Sequence, residues 1–306
     1  MKVALFGGTG FVGGHLVEAL IAAGHTPSLL VRVGSEGKLR HADRCRITHG
    51  DISSDRAIDA TLADCGALIY NIGILKEYPG RGITFEELQY RGAARVVEVA
   101  KRRNVSRVLL MSANGVKHPG TPYQETKFRA EEAVRKSTLD FTIFRPSVIF
   151  GDSHGLQEIS SQLYNDLVRP PIPAVGFHTG WSPKDNGVVL SPVHVKDVAN
   201  AFVAALTNDE TIGRTYVLGG PEVLTWSEMV RRIAVATGRK KWILPMPVGF
   251  MKFGATLFDW LPFFPATRDQ LTMLAEGNAA DAADIESLIG RPPLGFVPAN
   301  LSYLQG

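Results

Sequence analysis

The segment Gly7-Gly8-Thr9-Gly10-Phe11-Val12-Gly13 constrains this chain more than any other stretch. An apolar run, residues 3–6, precedes it, and a helical pattern follows with Val12, Leu16, Ala19 and Leu20 on one face. In a strand that ends in GxxGxxG and turns straight into a helix, each glycine has its own reason. Gly7 allows the tight turn, Gly10 lets backbone approach a pyrophosphate, and Gly13 lets the helix lie close on the strand. The helix N-terminus then presents unpaired N–H groups and a positive dipole end to phosphates. The segment, with Thr9, Phe11 and Val12 between its glycines, is a candidate dinucleotide cradle; a plain strand–helix turn is the alternative.

The alternation continues beyond the loop. Short β-branched or apolar runs at 28–33, 46–52, 67–73, 107–113 and 141–150 predict strands. Amphipathic stretches at 55–62, 85–103 and 122–137 predict the helices between them. Strands alternating with helices make βαβ units, hence a parallel sheet covered on both faces. The expected class is α/β, a Rossmann-type doubly wound parallel sheet with a small C-terminal α/β lobe. Residues 1–151 are the expected dinucleotide-binding core, and 152–306 a substrate and C-terminal lobe interleaved with it. Between 168 and 192, Pro170, Pro171, Pro173, Gly176, Gly180, Pro183, Gly187 and Pro192 predict an irregular loop rather than sheet. A helix at 195–206, a strand at 215–218 and a helix at 226–237 follow.

Composition narrows the partners. The formal net charge is only +3 over 306 residues and no block of like charge stands out, so nucleic acid is not an expected partner. Cys45 and Cys65 lie outside any CxxC or Cys/His cluster, and the eight histidines show no ligand spacing. Neither a disulfide framework nor a metal site is expected, and a reducing compartment fits. With no secretory signal pattern and no apolar run of the roughly 18 residues that span a bilayer, the expected location is cytoplasmic. The stretch 247–264 qualifies this. It holds Phe250, Met251, Phe253, Leu257, Phe258, Trp260, Leu261, Phe263 and Phe264, with only Lys252 and Asp259 charged. It is either a core-packed C-terminal helix or a surface for a partner protein or the inner face of a membrane.

The end of the second predicted strand chooses between nucleotides. NAD sites place Asp or Glu there against the ribose 2′-OH, whereas NADP sites favour Arg. This chain has Arg32 and no carboxylate until Glu36, so NADP(H) is favoured and NAD(H) is the alternative. Arg32 would hold a 2′-phosphate bidentately; a solvated surface arginine is the plain reading. Asp51-Ile52 suits either the adenine edge or a turn before the next helix. At Asn71 and Gly73, after the fourth strand, backbone would run along the cofactor.

Tyr123 and Lys127 stand four residues apart on a predicted helix and share a face. A free phenol with a pKa of about 10 is a poor base at neutral pH. A neighbouring ammonium favours the phenolate, so the pair suits proton exchange at a carbonyl or alcohol while a nicotinamide moves hydride. An exposed helical Tyr/Lys pair is the alternative.

These motifs occur in order with Arg145-Pro146-Ser147-Val148-Ile149-Phe150-Gly151 and Val193-His194-Val195-Lys196-Asp197. Together they resemble the extended or atypical short-chain dehydrogenase/reductases, the group of nucleotide-sugar epimerases and dehydratases, over roughly residues 1–220. Tyr216–Glu222 and Thr267–Leu271 further resemble bacterial relatives of the nucleotide-binding accessory subunit of mitochondrial complex I. The closer resemblance implies a bound NADP(H) and no established turnover, with Lys127 on the nicotinamide ribose. Pro146 and Val148 follow the sixth strand, where backbone would meet the nicotinamide; a strand end with a solvated Arg145 is the alternative. The family resemblance also implies a Ser or Thr near the end of the fifth strand to hold the substrate oxygen. Ser112 is available, but Asn114 aligns better with that position, and Asn cannot relay a proton as Ser does. Gln89 stands where the family commonly has asparagine. Two functions follow: an NADP(H)-dependent oxidoreductase or epimerase acting on an unidentified small molecule, or a non-catalytic, nucleotide-bound structural or assembly protein of a respiratory-type membrane complex.

Overall fold

The computed structural model describes residues 1–178, 187–247 and 268–305. By internal contacts the chain forms two compact units, Met1–Pro146 with Lys196–Tyr216, and Ser147–Val195 with Val217–Gly306.

The first unit is built on strands β1 (Lys2–Phe6), β2 (Thr26–Val31), β3 (Arg46–His49), β4 (Ala67–Tyr70), β5 (Arg107–Met111) and β6 (Asp140–Pro146). They stand in the order β3-β2-β1-β4-β5-β6, and Arg214–Leu218 closes the seven-stranded sheet beside β6. Each pairing from β3 to β6 is parallel. Residues 3–6, 67–70 and 107–111 are buried throughout, as strands covered on both faces must be. Helices α1 (Phe11–Ala22), α2 (Asp55–Leu62), α3 (Gly92–Arg102) and α4 (Pro122–Arg135) make the crossovers. On α3 the buried Ala93, Val96, Val97 and Ala100 keep the i, i+3, i+4, i+7 spacing of one face. They join Phe6, Leu68, Val108, Leu110 and Ile143 in one core.

Chain order reverses between β1 and β4. In open α/β sheets that reversal leaves a crevice at the carboxyl ends of the strands, where ligands bind. The positions after both strands meet here: the Asn71 N–H donates to the Phe6 carbonyl at 2.9 Å.

Three expectations are corrected. The helix expected over 85–103 opens with a π turn, Glu86–Arg91, inside which the Tyr70 hydroxyl donates to the Leu88 carbonyl. A Cβ at Gly92 would lie 2.4 Å from that hydroxyl, so a side chain there would have to displace the Tyr70–Leu88 bond. The strand expected over 141–150 ends at Pro146, and Ile149–Phe150 pairs separately with Val193–His194. The expected irregular stretch 168–192 contains a strand, Ala174–His178, paired in parallel with Ile243–Pro247. Pro170, Pro171 and Pro173 precede Ala174 and the strand itself holds no proline, so the partner's carbonyls still find donors.

The second unit has its own core, in which Met229 and Ile233 of the helix Trp226–Ala236 pack with Phe150, Leu163, Phe296 and Leu301. That helix starts with a reciprocal capping box between Thr225 and Glu228. The apolar stretch 247–264 lies, after Pro247, outside the described residues.

Candidate active site

Gly7 adopts φ +98°, the left-handed region that favours glycine, and its carbonyl accepts the Gly10 N–H at 3.2 Å. A Cβ at Gly7 would lie 3.0 Å from the Asn71 carbonyl, and one at Gly13 only 2.0 Å from the Gly7 oxygen. The turn therefore requires that Gly7 and Gly13 carry no side chains. At the N-terminus of α1, Gly10 supplies no capping side chain and the first turn holds no acid. The opening N–H groups of Phe11 and Val12 and the dipole's positive end are thus met by no capping side chain and no first-turn acid. Arg40 approaches the same helix, its Cδ 3.4 Å from where a Gly14 Cβ would stand. One guanidinium nitrogen pairs with Glu18, while Nη1 is buried with no partner among the described residues. A cradle that a Cβ would fill and a buried cationic donor lacking an acceptor both fit a diphosphate ligand. Gly13→Ala is expected to cost about 1–3 kcal/mol through this clash and to erase any nucleotide-dependent rise in Tm. A variant with wild-type stability and an unchanged nucleotide response would remove the loop from the site.

A cavity of about 370 Å³ lies beyond the ends of β2 and β3, lined in part by Arg32, Asp51, Ile52, Ser53, Arg81 and Arg95. Asp51 does what a turn residue does, its Oδ1 accepting the Ser53 N–H at 2.9 Å, and lines the cavity as well. Arg95 donates to the Ile52 carbonyl at 3.1 Å. Arg81 sits in the 3-10 turn Pro79–Arg81, closed by the Tyr78–Ile83 bridge. Arg81, Arg95 and Ser53 were not legible as site residues. Ser53 directly follows the Asp51-Ile52 pair, whereas no motif marks Arg81 and Arg95, because loop and helix geometry brings them beside Arg32 from far along the chain.

Helix α4 is started by Thr121, whose hydroxyl and the Gln124 side chain form a capping box, with Pro122 at the first turn. This places Lys127 against the ends of two strands. Its Nζ donates to the Met111 carbonyl at 2.8 Å and to the Ile72 carbonyl at 3.5 Å. A Cβ at Gly73 would come within 3.5 Å of that nitrogen. Tyr123, one turn earlier, packs edge-on against Phe85 with ring centroids 5.7 Å apart. The buried Gln89 ties the π turn to both neighbours, donating to the Ile74 carbonyl at 3.0 Å and accepting from the Thr126 hydroxyl at 2.9 Å. Burial pulls the Lys127 ammonium down to about 8, against a smaller opposing pull from Glu131. Burial also pushes the Tyr123 phenol up to about 12. At neutral pH the lysine is mostly charged and the phenol holds its proton.

Ser112 and Asn114 are placed differently from each other. The Ser112 hydroxyl donates to the buried Glu131 carboxylate, which Arg145 also grips through two bonds of 2.8 and 2.6 Å. Asn114 lies beyond β5, with its N–H on the Pro146 carbonyl at 2.9 Å and its Oδ1 on the Gly115 N–H at 3.0 Å. Val148 belongs to the second unit, where its carbonyl accepts the Val193 N–H at 2.9 Å.

A profile described as NAD(P)H-binding matches residues 7–209, from the glycine loop through α4 and beyond. The chain belongs to this NAD(P)H-binding family. Its fold and relatives fit the atypical short-chain dehydrogenase/reductases. Subunit 9 of the NADH dehydrogenase (ubiquinone) 1 alpha subcomplex from Arabidopsis thaliana is 32% identical over 237 residues, 74% of this chain and 55% of that subunit. The chain thus spans about half the length of that curated relative. A ceramide reductase from Caulobacter vibrioides is 29% identical over 269 residues, 84% of this chain and 78% of the reductase. Among solved structures, a UDP-glucuronic acid 4-epimerase from Bacillus cereus, bound to UDP-glucuronic acid and NAD, superposes with a TM-score of 0.71 at 16% identity. It covers 100% of this chain and 98% of its own, and shares the fold. Among the described residues, no helix of this NAD(P)H-binding protein is long and apolar enough to cross a membrane, and no cluster could hold a metal.

Proposed function

We propose that this chain is an NADP(H)-dependent reductase in which Tyr123 gives a proton to a substrate carbonyl and Lys127 holds the nicotinamide ribose. The observation that carries this reading is the Lys127 ammonium fixed at the carboxyl ends of β4 and β5, one turn from a protonated phenol. Gly7, Gly10 and Gly13 would admit the pyrophosphate, and Arg40 would supply it a donor. Asp51 and Ile52 would border the adenine, and Asn71, Gly73 and Pro146 would offer backbone along the nicotinamide half. When bound, the nicotinamide supplies or accepts the hydride. Relatives that include a ceramide reductase put lipid-like carbonyl compounds first in a substrate screen.

Arg32 and Arg81 line one cavity, and we assign the ribose 2′-phosphate to that pair. A ligand that binds only the folded state raises stability by RT ln(1 + [L]/Kd). NADPH is therefore expected to raise Tm more than NADH at equal concentration. A hydrogen bond to a charged group is worth about 1.5–3 kcal/mol, so Arg32→Ala should weaken NADPH by about tenfold or more and leave NADH unchanged. Equal shifts with both nucleotides, or an unchanged preference in Arg32→Ala, would remove Arg32 from the site.

A second reading, a nucleotide-bound assembly protein without turnover, is favoured by one observation. The only serine at the end of β5 spends its proton on Glu131. That reading expects tightly retained nucleotide and recovery in the membrane fraction, and rapid nucleotide exchange in a freely soluble protein counts against it.

A further inference from the structure

We propose that the ribbon formed by Ala174–His178 and Ile243–Pro247, with the residues leading into each strand, seats the protein on an anionic lipid surface. This holds whether or not the nucleotide site turns over. Three large apolar side chains stand in water here: Trp242 is 80% exposed, Ile172 65% and Leu244 55%. Trp242 and Leu244 stand two residues apart and share a face of one strand's path, and Ile172 lies in the segment that leads into the other strand. Strand pairing sets Ala174 opposite Ile243, and the Ala174 N–H donates to the Trp242 carbonyl at 2.8 Å. Ile243, between Trp242 and Leu244, packs on the second unit's core, so those two side chains turn away from it.

Cations flank this patch along the chain. Arg169, Arg239, Lys240 and Lys241 flank it in sequence against a single carboxylate, Asp166. Lys241 bridges the two lead-in segments by donating to the Val168 carbonyl at 3.2 Å and to the Pro170 carbonyl. Arg239 lies over the Tyr164 ring, 5.9 Å from its centroid. An exposed indole with exposed aliphatic side chains, flanked by Lys and Arg, matches the chemistry of a bilayer interface. The indole sits at the headgroup level, the aliphatic groups reach the acyl boundary, and the cations meet lipid phosphates.

Two features favour lipid over protein. Lysine is depleted at protein–protein interfaces, yet two lysines immediately precede Trp242 here. A partner strand adding to this ribbon would also find no N–H at Pro245 and Pro247 of the outer strand or at Pro170, Pro171 and Pro173 before the inner one.

The test is co-sedimentation of the full chain with vesicles of phosphatidylcholine alone and of phosphatidylcholine doped with phosphatidylglycerol. Binding is expected only to the anionic vesicles and should weaken with added salt. Trp242→Glu, and separately the pair Arg239→Glu and Lys240→Glu, should each reduce the bound fraction by about tenfold or more. These side chains are exposed, and an unchanged unfolding midpoint confirms that each variant is folded. Binding to neither vesicle, equal binding to both, or full binding by Trp242→Glu overturns the proposal. So does self-association that disappears in Trp242→Glu without any vesicle binding, which would assign the patch to a second copy of the chain. A missing NADPH response would refute the nucleotide reading and leave this result untouched.

Discussion

Replacing Glu131 by alanine is expected to cost the fold about 3–5 kcal/mol, a large share of the 5–15 kcal/mol that a domain normally has. Glu131 is fully buried in α4, and three groups close on its carboxylate. Arg145 binds it at 2.8 and 2.6 Å, Arg135 approaches to 2.9 Å, and Ser112 donates its hydroxyl. Removing the acid leaves the partly buried Arg145 guanidinium without its carboxylate partner, beside Arg135, which keeps only Glu132 at 3.5 Å, and desolvation without compensation is what makes such losses large. Burial alone would push the Glu131 carboxyl up, but Arg145, Ser112 and Arg135 outweigh it and hold the group below its ordinary value. The sign follows from that lowering. The contribution is fully present above the unfolded carboxylate's range and is lost as pH falls through the folded value. Urea unfolding as a function of pH should therefore show the deficit at neutral pH, and a flatter acid limb in the variant. The pair Glu131→Leu with Arg145→Met should recover much of the loss, because replacing both ions by apolar groups is often neutral. A deficit under about 1 kcal/mol would mean that water, not Glu131, compensates Arg145.

This network also explains where sequence reasoning stopped. The glycine loop, the strand–helix alternation and the Tyr123/Lys127 spacing follow local rules that act within a few residues. They carried the doubly wound sheet. Its crevice depends on strand order, which the reversal between β1 and β4 supplies and which no single segment encodes. Ser112 looked available because its hydroxyl lies at the right strand end. Its partner, Glu131, is 19 residues away on a helix, and only the packing of α4 on β5 joins them. Arg81 and Arg95 were invisible for the same reason. The strand Ala174–His178 was hidden by prolines that stop just short of it, and its partner lies beyond residue 240. Local chemistry was legible in the sequence, and chemistry assembled across the fold was not.

If Tyr123 is the proton donor, Tyr123→Phe should lower reductive turnover by about 10²–10⁴-fold while leaving the NADPH-dependent rise in Tm intact. The substitution removes one oxygen and keeps the ring against Phe85. With the phenol at about 12, the side chain is protonated across the working pH range and suited to give a proton rather than take one. Lys127 sets the pH dependence. Its ammonium, at about 8, loses its proton as pH rises through that value, and with it the charge that would stabilise a developing phenolate. The wild-type reductive rate should therefore fall on the alkaline side of about 8, well before the phenol itself titrates. Binding should be less affected, because Lys127 can still donate a hydrogen bond from a neutral amine. Equal turnover by wild type and Tyr123→Phe on the same carbonyl substrate would exclude the phenol as donor. Asn114 cannot replace it, since an amide does not relay a proton. Retained nucleotide with no turnover by the wild type on any carbonyl in the screen would favour the assembly-protein reading, in which Lys127 and the glycine loop hold a fixed ligand and Tyr123 only packs.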